Sequence, residues 1–258
     1  MNDGEVRLTR DGAVATIFFD RPQARNAMTW HMYEGLAAAC EQLSNDTSVR
    51  VTVLRGVGGK AFISGTDIAQ FRDFTDAEQG VAYEAKMERY LGALEALPMP
   101  TLAVVEGWAI GGGLAIAACC DLRIATSGTK FGVPIARTLG NCLSIANYAR
   151  LVAALGLART KQMLMMAENI VAEDALTAGF LMAVVQPSTL DQCVTEICQR
   201  LNGNAPVTMR VTKEALRRLQ YVGLPDGDDL LRACYGSEDF RLGVKAFMEK
   251  KTPQWRNR

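Results

Sequence analysis

The sequence predicts an α/β fold with parallel crossovers and a helical C-terminal region. Up to residue 130, short strand-like runs alternate with stretches whose apolar residues recur at helical spacing, the pattern of a parallel sheet with helices packed on it. Two of those runs, VTVLRG and TLAVV, are apolar or β-branched nearly throughout, as strands buried on both faces are. After Pro134 the pattern is almost entirely helical, with MAVV at 182–185 the one strand-like interruption.

In chain order, residues 5–9 and 13–20 alternate as strands do, with Asp11-Gly12 as the hairpin turn between them. Arg21-Pro22 ends the second strand. Over 29–43, Met32, Leu36, Ala39, Cys40 and Leu43 recur at helical spacing behind Thr29, a suitable N-cap. VTVLRG at 51–56 is a strand closed by glycine, and the glycine-rich GVGGKAFISGTD follows it. Helix returns over about 77–97, until Pro98 and Pro100 stop it. TLAVVEG at 101–107 is a second buried strand, and an apolar helix opens at Gly111, Gly112 and Gly113 and runs to about Cys120. DLRIAT and a segment around Lys130-Phe131-Gly132 complete the strands of this half.

The chain has 258 residues, 49% of them hydrophobic, with 28 Lys+Arg against 28 Asp+Glu. A folded chain of this length buries roughly 70 to 75% of the surface its unfolded form exposes, so a full core needs neither disulfides nor metal. Zero net charge argues against a dedicated nucleic-acid binder, which carries a basic excess for counterion release. The most apolar stretch, 108–118, carries glycines and stops at Asp121, too short to cross a bilayer. MNDGEVRLTRDG does not read as a secretory leader, and the seven cysteines are odd in number with no CxxC pair; together these point to reduced thiols and a cytoplasmic location. His31 is the sole histidine, so zinc is not expected.

Glycine marks the candidate ligand approaches. GVGGK at 56–60 lacks both the spacing and the following Ser/Thr of a phosphate loop, since Ala61 comes next. GWAIGGG contains no G-x-G-x-x-G, which disfavours a dinucleotide cofactor. The triplet at 111–113 serves either close packing at a helix start or, with stronger physical grounds, a site for developing negative charge built from first-turn N–H groups and the helix dipole. FISGTD at 62–67 offers a second such turn, and both would lie at the carboxyl edge of the sheet.

Taken in order, RPQARNAM (21–28), AFISGTDI (61–68), VEGWAIGGGLAIAACCDLRIA (105–125), KFGVPIARTLG (130–140) and AFMEKKTPQW (246–255) resemble the crotonase superfamily, the enoyl-CoA hydratase/isomerase group, over nearly the whole chain. The resemblance implies a ClpP/crotonase β-β-α spiral core over about 1–195 and a C-terminal helical trimerisation region over about 196–258, assembled as homotrimers or as hexamers of two trimers. It implies acyl-CoA thioesters as substrates, with CoA arriving as part of the substrate and no resident cofactor. An enolate would be held at the thioester oxygen by two backbone N–H groups, which by match belong to Thr66 and Gly112; such donors are worth about 3 to 4 kcal/mol each. The matched CoA contacts are Ala24, Arg25, Ala61, Ile63, Asp67 and Ile68, with the Arg25 guanidinium suited to CoA phosphates by charge and fork geometry. The terminal EKK at 249–251 resembles a basic family segment that approaches those phosphates in assembled subunits.

The resemblance breaks at the acids. The two glutamates with which hydratases of this family activate water match Ala115 and Ile135, and a single acid used by other members matches Leu143. Asp67, Glu106 and Asp121 stand where the family commonly has polar structural residues, and His31 lies on a helix away from both glycine turns. The 134–148 loop keeps Arg137, Thr138, Asn141, Cys142, Ser144, Asn147 and Tyr148, of which Cys142 is a thiol near a helix start and so open to activation. A serine triad would need His31 and a G-x-S-x-G turn that the sequence lacks. The expectation is an acyl-CoA-processing lyase or isomerase with an atypical site and no assigned catalytic residue. A non-catalytic acyl-CoA-binding or assembly protein on the same scaffold is the alternative. Neither nucleic acid nor a membrane is an expected partner.

Overall fold

The computed structural model describes residues 3–256. Strands β1 (Glu5–Asp11) and β2 (Val14–Asp20) form the expected hairpin, turning at Gly12 with φ of 55°. Helix α1 (Trp30–Ser44) follows, its first turn capped by the Thr29 hydroxyl, which accepts from the Met32 N–H at 3.2 Å. Strands β3 (Val51–Gly56) and β4 (Thr101–Val105) are linked through α2 (Ala77–Glu95), which opens on an Asp76/Gln79 capping box. Then come β5 (Trp108–Ile110), α3 (Gly112–Cys119), β6 (Leu122–Thr126), β7 (Lys130–Gly132) and α4 (Ile135–Thr138). The C-terminal half contains α5 (Ile145–Leu155), α6 (Leu157–Met165), β8 (Ile170–Val171), α7 (Ala172–Thr177), β9 (Ala183–Val185), α8 (Leu190–Gly203), α9 (Pro206–Tyr221), α10 (Asp228–Tyr235) and α11 (Glu238–Met248).

The main sheet has six strands in the order β1-β2-β3-β4-β6-β9, antiparallel only between β1 and β2. A second, three-stranded layer runs β5-β7-β8 and is extended by a bridge from Ile63 to Ala109. Each of β3, β4 and β6 therefore leads into a second-layer segment (Ile63, β5, β7) and then into a helix (α2, α3, α4), which is a β-β-α spiral. The sequence did not announce β5 or β8. Runs of three and two residues carry no readable period, and these become strands only by pairing with β7.

One face of the main sheet packs on α1, α2 and α3 around residues such as Ile17, Phe19, Leu54 and Leu114. The other is covered by α8, whose Leu190, Ile197 and Cys198 sit on Val51, Val53, Leu102, Val104 and Ile124. Helix α8 runs continuously through residues 195 and 196, the division expected between core and tail. The last helices fold back over the first half: a Cβ on Gly80 would lie 2.1 Å from the Tyr235 ring, so glycine at 80 is what lets α10 dock on α2. Among the described residues no helix is long and apolar enough to cross a membrane.

Candidate active site

The three glycines that close β5 have separate tasks. Gly111 takes φ 54° and ψ −117°, a conformation closed to residues with a side chain, and turns the chain into α3. Gly113 is a packing residue, because a Cβ there would lie 2.2 Å from the Ile63 carbonyl oxygen. Gly112, the first residue of α3, has an N–H that no protein group accepts among the described residues. The second turn behaves in the same way. Met28 N–H donates to the Gly65 carbonyl at 2.9 Å and Asp67 N–H to the Met28 carbonyl at 2.8 Å, leaving the intervening Thr66 N–H without a protein acceptor. A Cβ placed on Gly112 would be 3.9 Å from the Thr66 nitrogen, so the two amides border one spot. The positive end of α3 lies beside it.

That spot opens on a cleft of about 160 Å³ whose wall is largely apolar, with Met87, Leu91, Val133, Leu139 and Phe247 among its residues. Ala115, Ile135 and Leu143 all line it. Three phenols, Tyr33, Tyr83 and Tyr235, stand behind its polar end. Tyr33 and Tyr83 place their hydroxyls 2.8 and 3.3 Å from Thr66 Oγ1. Burial pushes Tyr33 up to about 12, and burial likewise raises Tyr83 and Tyr235, so all three remain neutral hydroxyls at ordinary pH.

One carboxyl also faces this cleft, and it was not among the residues singled out from the sequence. Glu84, on α2, is 3% exposed. Its Oε1 accepts from Tyr235 Oη at 2.8 Å and its Oε2 from the Ser144 N–H at 3.1 Å. Burial pushes its carboxyl up to about 7 against the pull of those two hydrogen bonds, with the negative Glu88 raising it further. A signal for it was present. Gly80, Tyr83, Glu84, Met87 and Leu91 share one face at helical spacing, and an acid within an apolar stripe is a carboxylate the fold must bury.

Of the residues singled out from the sequence, Thr66, Gly112 and Ile68 line the cleft. Ala24 and Arg25 stand at its margin: the Ser64 N–H donates to the Arg25 carbonyl at 3.1 Å, and Ser64 is a cleft residue. Ala61 and Ile63 are buried and are not among the cleft's lining residues. The Ala61 carbonyl accepts from Asn26 Nδ2 at 2.8 Å, and Ile63 spends its N–H and carbonyl on Trp108 and Ile110. Asp67 is turned away to Arg21 at 2.9 Å and caps the short helical turn at Ile68–Phe71. Glu106 pairs with Arg55 at 2.9 Å, Asp121 binds Thr101 and Lys213, and His31 is exposed on α1, all structural placements. Cys142 is no activated thiol: hydrogen bonding to Cys234, followed by burial, pushes it up.

A strand-strand-helix spiral with two unpaired amides at the head of an apolar cleft defines a crotonase-fold protein. The comparisons with known proteins agree: the family model described as enoyl-CoA hydratase/isomerase matches residues 9–258, and the chain belongs to that family, within the crotonase superfamily. It is 32% identical over 255 residues to the short-chain-enoyl-CoA hydratase of Clostridium acetobutylicum, covering 97% of each chain. It is 30% identical over 250 residues to the crotonyl-CoA hydratase of Syntrophomonas wolfei, covering 95% of each. Among solved structures, a methylmalonyl-CoA decarboxylase in complex with 2-nitronate-propionyl-CoA superimposes with a TM-score of 0.89 at 27% identity, over 98% of both chains.

Proposed function

We propose that this protein processes acyl-CoA thioesters by holding an enolate oxygen between the Thr66 and Gly112 amides, in a cleft that does not favour the addition of water. The observation that carries the reading is the pair of unpartnered N–H groups bordering one spot at the cleft head. Donors fixed in advance where charge develops act strongly in a water-poor site. The resemblance would put the two hydratase glutamates at Ala115 and Ile135 and the single acid of other members at Leu143, and these residues make the wall apolar instead. CoA enters as part of the substrate. Its contacts are assigned to Ala24, Arg25 and the backbone around Ala61, Ile63, Asp67 and Ile68, with Arg25 toward the phosphates. A non-catalytic acyl-CoA-binding role is the competing reading, favoured by those same three substitutions.

The test uses Gly112→Pro. Gly112 is the first residue of α3, where proline's missing N–H costs no helix hydrogen bond; its ring carbons would also press on the Tyr33 hydroxyl, 2.6 Å from a Cβ at this position, so the fold is checked before the donor is judged. The folded variant is expected to lose its preference for an acyl-CoA over free CoA, together with any turnover, while its affinity for free CoA survives. Unaltered assembly state and thermal transition establish the fold first. A folded Gly112→Pro protein that still prefers or converts acyl-CoA would reduce the triplet to a packing device. Turnover of any acyl-CoA by the wild type excludes the purely binding reading.

A further inference from the structure

Glu84 is the one Asp or Glu among the described residues lining the cleft, and its surroundings suit proton transfer better than an ion pair. Its two oxygens are held by neutral donors, the Tyr235 hydroxyl and the Ser144 N–H. No salt bridge to Glu84 is formed among the described residues, and Arg150 on α5 is committed elsewhere, 2.8 Å from Glu88 and 2.9 Å from Glu95. The other titratable groups facing Glu84 are the phenols of Tyr33 on α1, Tyr83 on α2 and Tyr148 on α5, the thiols of Cys142 and Cys234, and Glu88 one turn along α2. Tyr83, next to Glu84 on α2, places its hydroxyl 3.3 Å from Thr66 Oγ1, and Glu84, Thr66 and Gly112 all line the one cleft. Asn141 completes the surround. Its Nδ2 donates to Tyr235 Oη at 3.4 Å, and its buried Oδ1 finds no partner.

We propose that Glu84 is the catalytic proton carrier of this cleft, its carboxylate taking a proton from the carbon beside the held thioester and returning it two carbons along the same acyl chain. The inference rests on the two-amide reading above. The steps balance with one group. In a β,γ-unsaturated thioester, the α C–H bond breaks, its electron pair moves toward the carbonyl, and the oxygen takes the charge between the Thr66 and Gly112 amides. Glu84 is then a carboxylic acid. Its O–H bond breaks as the γ carbon takes the proton with the electron pair of the β,γ double bond; the pair at the α carbon closes the α,β double bond, and the carbonyl reforms. No water, oxidant or net proton enters. Hydration instead needs one group to activate water while another protonates carbon, and this wall has one carboxyl. A carboxyl poised near neutrality can both accept and return a proton at ordinary pH.

The experiment follows trans-3-hexenoyl-CoA in D2O by mass and by absorbance of the conjugated thioester. The wild type is expected to form the 2-hexenoyl ester, with deuterium entering the chain to the extent that the Glu84 carboxyl exchanges its proton with solvent while the dienolate is held. Glu84→Gln should slow both by about 10²- to 10⁴-fold while hexanoyl-CoA affinity changes by less than about threefold. The second variant is Tyr235→Phe, which keeps the carboxyl and removes a hydrogen bond that favours its charged form. Because carboxylate is the starting form, kcat/KM should rise with pH through an inflection near 7 in the wild type, and Tyr235→Phe should move that inflection upward. A purely structural Glu84 would not produce the displacement, and this measurement decides the matter should Glu84→Gln fail to fold. Undiminished exchange in folded Glu84→Gln, an inflection unmoved by Tyr235→Phe, or a wild type that binds hexanoyl-CoA without exchange or isomerisation each overturns the role of Glu84 and leaves the two-amide reading to its own Gly112→Pro test. A wild type that binds hexanoyl-CoA no better than CoA overturns both.

Discussion

At the scale of the residue, Glu84 ties stability to pH. Its carboxyl lies near 7 in the folded chain against 4.5 for an ordinary glutamate, so between those values the native state holds a proton that the unfolded chain releases. The contribution is fully present below about 4.5 and is lost as pH rises through 7, amounting to roughly 3 kcal/mol. Glu84→Gln should flatten that fall, read as the difference in thermal transition between pH 5 and pH 8; a variant with the full wild-type fall would place the dependence on other groups. Arg25 invites a different measurement. It is exposed, in a left-handed backbone conformation with φ of 50°. Arg25→Ala should weaken both CoA and acyl-CoA by about ten- to hundredfold, the cost of one charge-assisted contact, by calorimetric titration. Equal affinities would remove Arg25 from the site. Ala115, Ile135 and Leu143 predict that crotonyl-CoA hydration is slower than in a two-glutamate enzyme by several orders of magnitude, at ~10² to 10⁴ per missing group. A turnover above about 10² per second would reveal a second acid-base group beside Glu84.

Between elements, a buried polar tie joins α5, α2 and α9. Arg150 is 3% exposed and makes a two-bond fork with Glu95 at 2.9 and 3.0 Å, and Tyr221 at the end of α9 donates to the same carboxylate at 2.6 Å. Truncation to Arg150→Ala leaves Glu95 buried without its cation and should destabilise the fold by about 3 to 5 kcal/mol. Tyr221→Phe should cost about 1 kcal/mol, since the carboxylate keeps the arginine. Denaturant midpoints compare the two, and equal losses would mean that the Tyr221 hydroxyl carries as much of the tie as the arginine fork. The longer elements were legible from local signals: the Asp11-Gly12 turn, the Thr29 cap, and Pro98 closing α2. β5 and β8 were not, because nothing within a three-residue segment distinguishes a strand from a loop until β7 lies beside it.

For the whole molecule the outstanding feature is apolar surface on α9. Val207, Val211, Leu216 and Leu219 are 58%, 59%, 62% and 71% exposed, and Val222 just beyond is 73% exposed. We propose that this surface is an interaction face. Self-association into a homotrimer, or a hexamer of two trimers, is expected by light scattering, with the double variant Val211→Asp/Leu219→Asp shifting the mass downward. A wild-type monomer at micromolar concentration would contradict this, as would an assembly unaffected by the two aspartates.

The sequence by itself determined the class of fold, the long helices and strands, the two glycine turns and the absence of carboxylates at 115, 135 and 143. Each of these is encoded within a few neighbouring residues, as a period, a cap, a turn or a residue identity. Only the tertiary structure decided which glycine of the triplet turns the chain, which packs and which presents its N–H, since that depends on Ile63 and Thr66 from another turn of the spiral. It also decided that Glu84 faces the cleft. An acid in an apolar helix stripe must be buried somewhere, but its partners, Ser144 and Tyr235, lie 60 and 151 residues away along the chain, and the packing of α10 onto Gly80 brings the Tyr235 hydroxyl to it.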